Sequence, residues 1–519
     1  MTGNAVRNTK IILACLGVAI ALGLLMFVVS HGRAKARLAA KKGALIAAGE
    51  ILELKQLTPT LAPGKSNGGK ALLSAINALP DIEYHLYSPS MRILGSGRAL
   101  LSSSVKVLPN NEGAQWSTNI WFDLEPLIEP HRESMMNVAR TLTNDAILFD
   151  PDYRNDGTPR LPHVVKMKGY TVWNAALIPY DLQRGDYVSA GNNLLAGSRL
   201  VAKWRHEPFI FSQLVRQMML GILVKSLWEM LQYDHWSDAQ WREIQDTWAA
   251  IDFWQGMEEA LQMERVMSMP LFEQQWLEPG VRRDVKSIPA LVADATGEAL
   301  KRVFNKPGKG LKMLFVDVPQ IATWPWITRY DDQLFYIDSV QHSLDALRIG
   351  MQSNSVMAAR AAAGRKSFAN VPPAYPLSRV MLYPTERVMN YTGEADAIRI
   401  LGVTAIALKR YCGRYGKYPK GLKDLVPDFV TAIPIDAIDG AALRYRPDGN
   451  GRYVLWSIGT DGRDDGGDGM PPPGKHYWSQ CPDLVWPWPA ESGEVEAYVA
   501  DLQNDLNAMM PLIVSPSSK

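Results

Sequence analysis

HEPFIFSQLVRQMMLGILVKSLWEMLQYD (206–234) and HWSDAQWREIQDTWAAIDFWQGMEEALQMERVMSM (235–269) carry the clearest helical pattern in the chain. In the first stretch, apolar residues recur at steps of three and four, namely Phe211, Leu214, Val215, Met218, Ile222 and Leu227. Its segment MMLGILV is apolar enough to suggest a membrane span, but Arg216 and Lys225 bracket it too closely. The first stretch is therefore predicted to be a buried helix.

The second stretch predicts a capped helix followed by another helix. Ser237 can cap the first of these, with Gln240 three residues on, as in a capping box. The residues that then share one face are Trp241, Ile244, Trp248 and Ile251. A similar apolar pattern recurs in WITRYDDQLFYIDSVQHSLDALRIGMQ (326–352). These patterns predict a mainly α fold with a helical domain over residues 71–390, in which the aromatic residues form the core.

The composition excludes several classes of function. The chain has 519 residues and a net charge of +2, so no strong positive field points to nucleic acid. Its three cysteines include no CxxC pair, which argues against a structural zinc site. No Walker A loop, GxSxG elbow or zincin motif occurs, and no catalytic residue is predicted.

Two short motifs suggest chemistry only weakly. SSVK (103–106) fits the S-x-x-K pattern of a serine activated by an amine, but its companion motifs are absent. DPDYRNDG (150–157) gathers aspartates but departs from the calcium loop of EF-hands, and a solvated turn is expected there.

The N-terminal region predicts a membrane anchor. IILACLGVAIALGLLMFVVS (11–30) has no charged residue, and as a helix it would be about 30 Å long, which matches the hydrocarbon core of a bilayer. A basic segment follows it without a cleavage site, so an uncleaved single-pass span is expected. Residues 1–10 would be a short cytoplasmic tail. Residues 31–70 would be a basic juxtamembrane helix and linker.

The orientation of this anchor is open on charge alone. Arg7 and Lys10 precede the span, and a larger basic group follows it, namely Arg33, Lys35, Arg37, Lys41 and Lys42. The positive-inside rule therefore favours a cytoplasmic body, although long domains can cross the membrane regardless of charge. An extracytoplasmic body is the prediction adopted, because of the resemblance described below.

The C-terminal part predicts a small α+β domain over residues 391–490. GEADAIRILGVTAIALKRYCGRYGKYP (393–419) begins it as a helix, and KGLKDLVPDFV (420–430) follows as a short helical turn. ALRYR (442–446) and RYVLWSI (452–458) read as antiparallel strands joined by a turn with Asp-Gly and Asn-Gly. Residues 491–519 would be a short helix and a disordered tail.

This order of elements resembles the globular domain of the major pseudopilin of type II secretion systems. Together with the helical region, the chain also resembles large bacterial membrane-anchored proteins of unknown function that end in such a unit. One departure is that the span lies more than 350 residues before the pilin-like unit, so the chain is not expected to be a processed pilus subunit. The resemblance implies a periplasmic location at the inner membrane.

The resemblance also implies a calcium site in SIGTDGRDDGGDG (457–469). Asp461 would match the family's loop aspartate, and Asp468 is the best candidate for the second carboxylate. Asp464 and Asp465 lie close enough in sequence to contribute. The alternative is that the glycines turn the chain while the aspartates stay hydrated.

Cys412 and Cys481 both fall in this unit. In an exported protein they would form a disulfide if their Cα atoms lie within about 7 Å. Two buried free thiols are an equally open alternative.

The leading functional hypothesis is a membrane-anchored extracytoplasmic structural or interaction protein rather than an enzyme. It would contact the bilayer through residues 11–30 and an envelope, type II secretion or pilus-like assembly through its body. One alternative is an envelope hydrolase whose site is formed by residues distant in sequence. The other is a cytoplasm-facing membrane scaffold.

Overall fold

The computed structural model describes residues 2–81, 91–104, 108–109, 116–117, 125–143, 146–149, 161–274, 288–364, 371–382, 384–474 and 477–501. In the first helix, side-chain surroundings are described only for residues 15, 17 and 18 and from residue 21 onward.

The chain is mainly helical, as predicted. Its α-helices in the N-terminal half are α1 (Thr2–Ala47), α2 (Leu54–Leu57), α3 (Gly69–Asn77), α4 (Arg132–Thr141), α5 (Pro162–Gln183), α6 (Tyr187–Lys203), α7 (Ile210–Met230) and α8 (Asp238–Ala249). Those that follow are α9 (Trp254–Ser268), α10 (Leu271–Gln274), α11 (Ile288–Asn305), α12 (Pro307–Lys312), α13 (Val318–Ile327), α14 (Arg329–Ser353), α15 (Val356–Ala363), α16 (Pro376–Met381) and α17 (Thr385–Tyr415). Residues 492–501 are also helical.

Helix α7 is at the centre of the body. Among the described residues it is the one helix with the length and apolar composition to cross a membrane, and 72% of its most apolar window is buried inside the protein. The prediction of a buried helix is confirmed. The capping box of Ser237 and Gln240 at the start of α8 is also confirmed.

Buried tryptophans connect the helices around α7. Trp204, Trp228 and Trp248 have almost no exposed surface. Each indole N–H has an acceptor: Trp248 Nε1 donates to Ser198 Oγ at 2.8 Å, and Trp228 Nε1 donates to the Pro487 carbonyl at 2.7 Å. A buried indole needs such a partner, so these rings fix both packing and orientation. The prediction that the aromatic residues form the core is confirmed.

The 31-residue helix α17 joins the body to the C-terminal unit. The predicted boundary between residues 390 and 391 lies inside this helix. Its side packs on α7 and α8, and a Cβ atom at Gly402 would lie 2.9 Å from the Trp248 ring. One apolar core extends from Leu38 in α1 to Trp486 in the C-terminal unit.

Small sheets complete the fold. Strands β5 (Arg444–Pro447), β6 (Tyr453–Ser457) and β7 (Leu484–Val485) form an antiparallel sheet, which confirms the two predicted strands. Earlier in the chain, β1 (Arg92–Gly95) and β2 (Arg98–Leu100) form a hairpin, and β3 (Leu108–Pro109) pairs with β4 (Trp116–Ser117). Strand β8 (Trp488–Pro489) pairs in parallel with β2, so the C-terminal segment is tied to the body.

The N-terminal helix α1 is unbroken over 46 residues and includes the whole predicted span and the first part of the predicted juxtamembrane helix. After α1, the described residues contain only the short α2 before α3 begins at Gly69, near the end of the predicted juxtamembrane helix and linker at 31–70. The membrane crossing itself stays a prediction. The predicted disordered tail beyond residue 501 lies outside the described residues.

Candidate functional site

Among the described side chains of α1, those between residues 18 and 29 form an exposed apolar segment. Val18, Leu25 and Met26 are 60%, 59% and 69% exposed. The other large exposed residues in the same stretch are Leu22, Leu24, Val28 and Val29. Contiguous exposed apolar surface of this kind marks a site of contact with a membrane or another protein.

The second half of α1 is fixed to the body. Ala34, Leu38 and Leu45 are buried, and the helix packs along α14. Two ion pairs flank this contact: Arg37 Nη2 lies 2.8 Å from Asp331 Oδ1, and Lys41 Nζ lies 2.6 Å from Asp338 Oδ1. Both pairs are partly exposed and add little energy. The apolar packing is therefore the main attachment.

Glu50, just after α1, holds the end of this attachment. Its carboxylate accepts from Arg265 Nη2 at 2.9 Å, from Gln341 Nε2 at 2.8 Å and from Arg348 Nη1. Arg348 Nε also donates to Glu258 at 2.7 Å. Burial would raise the pKa of Glu50, but the hydrogen bonds from the two arginines and Gln341 lower it to about 2. The group is therefore ionised at neutral pH.

The predicted calcium loop uses its aspartates to shape turns. Asp461 Oδ1 accepts from the Arg463 N–H, and Asp468 Oδ1 accepts from the Met470 N–H, each at 3.0 Å. Asp464 Oδ1 accepts from the Gly466 N–H at 3.0 Å and from Trp456 Nε1 at the same distance. These are the local bonds that stabilise aspartate-rich turns. The hydrated-turn alternative accounts for them without a metal.

Arg444 compensates much of the negative charge around the loop. Its guanidinium lies 2.8 Å from Asp436, 2.5 Å from Asp439 and 3.4 Å from Asp464. Asp436 is fully buried and also accepts from Ser457 Oγ at 2.7 Å. Burial raises the pKa of Asp436 in spite of these bonds.

Asp483 is a loop carboxylate that the sequence reasoning missed. It is fully buried, and its Oδ2 accepts from the Gly467 N–H at 2.7 Å. Burial, together with the nearby charges of Asp464 and Asp465, raises its pKa. In the part of the chain that the structure describes, Asp483 Oδ1 has no hydrogen-bond donor.

No group of three or more His, Cys, Asp and Glu side chains is arranged to hold a metal ion within the described ranges. Asp465 is exposed at the surface of this loop. Calcium binding by Asp461, Asp464, Asp465 and Asp468 stays a prediction. The acidic stretch 150–157 lies outside the described residues.

The two cysteines of the C-terminal unit are free thiols in the structure. Cys412 is half-buried and lies near Tyr418, Lys409 and Asp234. Cys481 is buried, and its charged neighbour is Asp468 instead. The disulfide between them stays a prediction, and so does the alternative of two free thiols. Burial raises the pKa of both thiols, that of Cys481 to about 12.

The most chemically suggestive pair in the body is Ser102 and Glu229. Ser102 Oγ donates to Glu229 Oε1, and burial raises the pKa of this carboxyl to about 7. A serine beside a base is the beginning of a nucleophilic site. However, both side chains have no exposed surface. Ser103 of the S-x-x-K motif lies next to them, whereas Lys106 lies outside the described residues.

A second buried carboxylate, Asp332, has a structural role. It accepts from Trp324 Nε1 at 2.7 Å and from the backbone N–H groups of Leu377 and Ser378 at the start of α16. Burial raises its pKa to about 7. Asp332 thereby joins α14 to α16 through hydrogen bonds that need no cation.

A hydrolase would need a cavity that brings such groups to a substrate. One concave feature in the described part of the protein is a shallow depression on α8, lined by Ala239, Arg242, Glu243, Asp246 and Thr247. None of the buried carboxylates reaches it. The alternative of an envelope hydrolase therefore gains no support from this geometry.

The sequence predicted the apolar helix, but it did not predict that Glu50 attaches this helix to the body or that Glu229 is buried beside Ser102. Glu229 had one sequence signal, as a lone acid in an apolar helix, and Glu50 had none. Comparisons with protein-family models, curated proteins and solved structures found no match for this chain.

Proposed function

We propose that the protein is a membrane-anchored structural or interaction protein with a single span at residues 11–30. One observation carries the proposal: α1 is a single helix that exposes apolar side chains between residues 18 and 29 and is packed into the body from Ala34 onward. An exposed apolar helix is unfavourable in water by about 25 cal/mol for each Å² of its surface. A bilayer removes that surface from water.

The body would be held at a fixed height and angle on the span. No flexible linker separates the two halves of α1, and Glu50 closes the attachment immediately after the helix. A tether for free diffusion needs no such contacts. A rigid connection between the span and the body is typical of a protein that presents a surface to a partner in a fixed orientation.

The C-terminal unit is the proposed partner-binding region. The order of helix, short 3₁₀ turn, β-hairpin and glycine-rich loop supports its resemblance to the major pseudopilin domain. On this basis the body would face the periplasm and contact a type II secretion or pilus-like assembly. Purification of the tagged protein from solubilised membranes, with the Leu22→Arg variant as the control, tests this. Recovery of no envelope protein would count against it.

A cytoplasm-facing scaffold is the second candidate, and one observation favours it. Five basic residues follow the span within twelve positions, namely Arg33, Lys35, Arg37, Lys41 and Lys42. Basic residues near a span favour the cytoplasmic side. Reporter fusions at the C-terminus, active on one side of the membrane only, separate the two candidates.

The anchor itself is tested by substitution within the exposed half of α1. Leu22→Arg and Leu25→Arg together place two charges near the middle of the span, each at a cost of about 3 kcal/mol for insertion. We expect the variant to move from the membrane fraction to the carbonate-extractable fraction. Val188→Arg, at an exposed apolar position on α6, is the matched control. Equal membrane retention of all three proteins would overturn the proposal.

A further inference from the structure

A second apolar surface lies on helices α11 to α13. Leu300, Leu311, Val316 and Ile327 are each between 43% and 51% exposed. They belong to a compact group in which α11 packs against α12 and α13. Large apolar side chains exposed together within one substructure mark a binding surface. We refer to residues 300–327 as the 300–327 surface.

The same surface is strongly basic at one end. Residues 301–312 contain five basic side chains and no acidic one, and all five are exposed: Lys301, Arg302, Lys306, Lys309 and Lys312. Arg302 Nε is paired with Glu298 at 2.8 Å. The other acidic residues of these helices are Asp294 and Asp317. The mixture of lysines with exposed apolar residues is typical of segments that lie on anionic membranes.

The position of the 300–327 surface relative to α1 indicates which kind of partner it would bind. The ring of His31 lies 4.8 Å from the ring of Tyr330, three residues after Ile327. Helix α13, which ends at Ile327, also packs against α1. Residue 30 is the last of the uncharged segment. The 300–327 surface therefore begins at the level where α1 would leave the hydrocarbon core.

We propose that the 300–327 surface lies on the bilayer beside the span and binds anionic lipid headgroups through its lysines. This inference rests on the proposed anchor. A lipid surface is favoured over a protein partner because the charges match anionic headgroups and because α13, at one end of this surface, packs against α1. Arg33 and Lys35, which follow the uncharged segment on α1, are also exposed.

The test uses the full chain in phosphatidylcholine vesicles with or without phosphatidylglycerol. Cys15→Ser and Cys412→Ser remove the accessible thiols, and Cys481 is buried. A fluorophore is then attached at Ile327→Cys or Leu311→Cys and quenched by nitroxide-labelled lipid. Leu25→Cys reports on the span, and Val188→Cys, an exposed residue on α6, is the aqueous control.

We expect lipid quenching at positions 25, 327 and 311 but not at 188, with 327 and 311 requiring phosphatidylglycerol. Each change of Lys306, Lys309 or Lys312 to Gln should weaken the surface contact roughly fivefold. Quenching at 25 with none at 327 and 311 would overturn this inference and leave the anchor standing. Absence of quenching at 25 would overturn the anchor. Unchanged quenching in the triple Gln variant would overturn the role of anionic headgroups.

Discussion

Glu50 and Glu229 are two carboxylates with little or no exposure to solvent, and their pKa values are shifted in opposite directions. Burial raises the pKa of each, but two arginines and a glutamine bring that of Glu50 down to about 2. Glu229 has a serine and backbone N–H groups as its partners, and its pKa stays near 7. A buried carboxylate is therefore charged or neutral according to whether a cation is buried with it. Glu50 is ionised at neutral pH and attaches the end of the N-terminal helix to the body, whereas Glu229 lies in the core with a pKa close to neutral pH.

The largest effect is expected when the Glu50 carboxylate is removed. Glu50→Ala leaves Arg265, which has no exposed surface, without its anionic partner. Loss of one member of a buried pair costs about 3–5 kcal/mol. We expect a lower unfolding temperature in detergent, followed by tryptophan fluorescence, and faster proteolysis between residues 48 and 58. Glu53→Ala, an exposed neighbour, is the control, and equal behaviour of the two variants would contradict the attachment.

The free energy of unfolding should depend on pH with opposite signs at Glu229 and Glu50. The folded pKa of Glu229 is raised from 4.5 to about 7, so the folded state holds the proton more tightly than the unfolded state. Its contribution is full below pH 4.5 and is lost as pH rises through 7, by about 3 kcal/mol in total. For Glu50 the sign is reversed: its contribution is present above pH 4.5 and is lost as pH falls towards 2.

Glu229→Gln should flatten the upper part of this profile. We expect the unfolding temperature of the variant to change less between pH 5 and pH 8 than that of the natural chain, since glutamine does not titrate. Asp332 keeps some dependence of the same sign, because its pKa is also raised to about 7. Glu496→Gln, at an exposed position, serves as the control. A profile unchanged by Glu229→Gln would mean that this carboxyl is not a buried neutral acid.

The effect of burial on a pKa can also be tested at the two cysteines. Cys481 is buried beside Asp468, and its pKa is raised from 9.0 to about 12. Because the thiolate is the reactive form, maleimide should label Cys481 about a thousandfold more slowly at neutral pH than an unperturbed thiol. Labelling of the unfolded chain without a reductant measures the free thiols. If both cysteines stay unlabelled there until reduced, the predicted disulfide exists and the free-thiol arrangement is wrong.

The smallest effect is expected at Asp464, where the ion pair with Arg444 is 3.4 Å long and the carboxylate is 44% exposed. Asp464→Asn should change the unfolding free energy by less than about 1 kcal/mol. The calcium prediction is tested with a second variant, Asp483→Asn. If the loop binds calcium, millimolar calcium raises the unfolding temperature of the natural chain but not of Asp483→Asn. Equal responses to calcium and magnesium in both proteins would refute a specific site.

Much of the fold follows from local patterns in the sequence. The helical repeat over 206–269, the capping box at Ser237 and the hairpin before Tyr453 depend on residues close in sequence, and all three are found where predicted. Glu50 could not be placed in this way, since Arg265 and Arg348 are 215 and 298 residues away. Glu229 and Ser102 are likewise 127 residues apart. Such pairs need the packing of the whole chain.

The predicted division at residue 390 shows the same limit. The segment that begins at residue 393 is correctly predicted as helical up to Tyr415, but the sequence pattern did not show that the helix begins at Thr385 and packs along the body. Gly402 is the sign that was available, because glycine within a helix often marks a close approach. Its partner, the Trp248 ring, lies in a segment that was read separately.

Helix α17 is built to transmit force between the C-terminal sheet and the body. It is about 46 Å long and stiff, with the C-terminal sheet at one end and the body along its side. A pull on the sheet acts on α17 along its length, and the close contact of Gly402 with Trp248 resists sliding. The load then passes through the shared core to α14 and from there to α1. A force applied by a partner at the C-terminal unit would reach the bilayer without first stretching a linker.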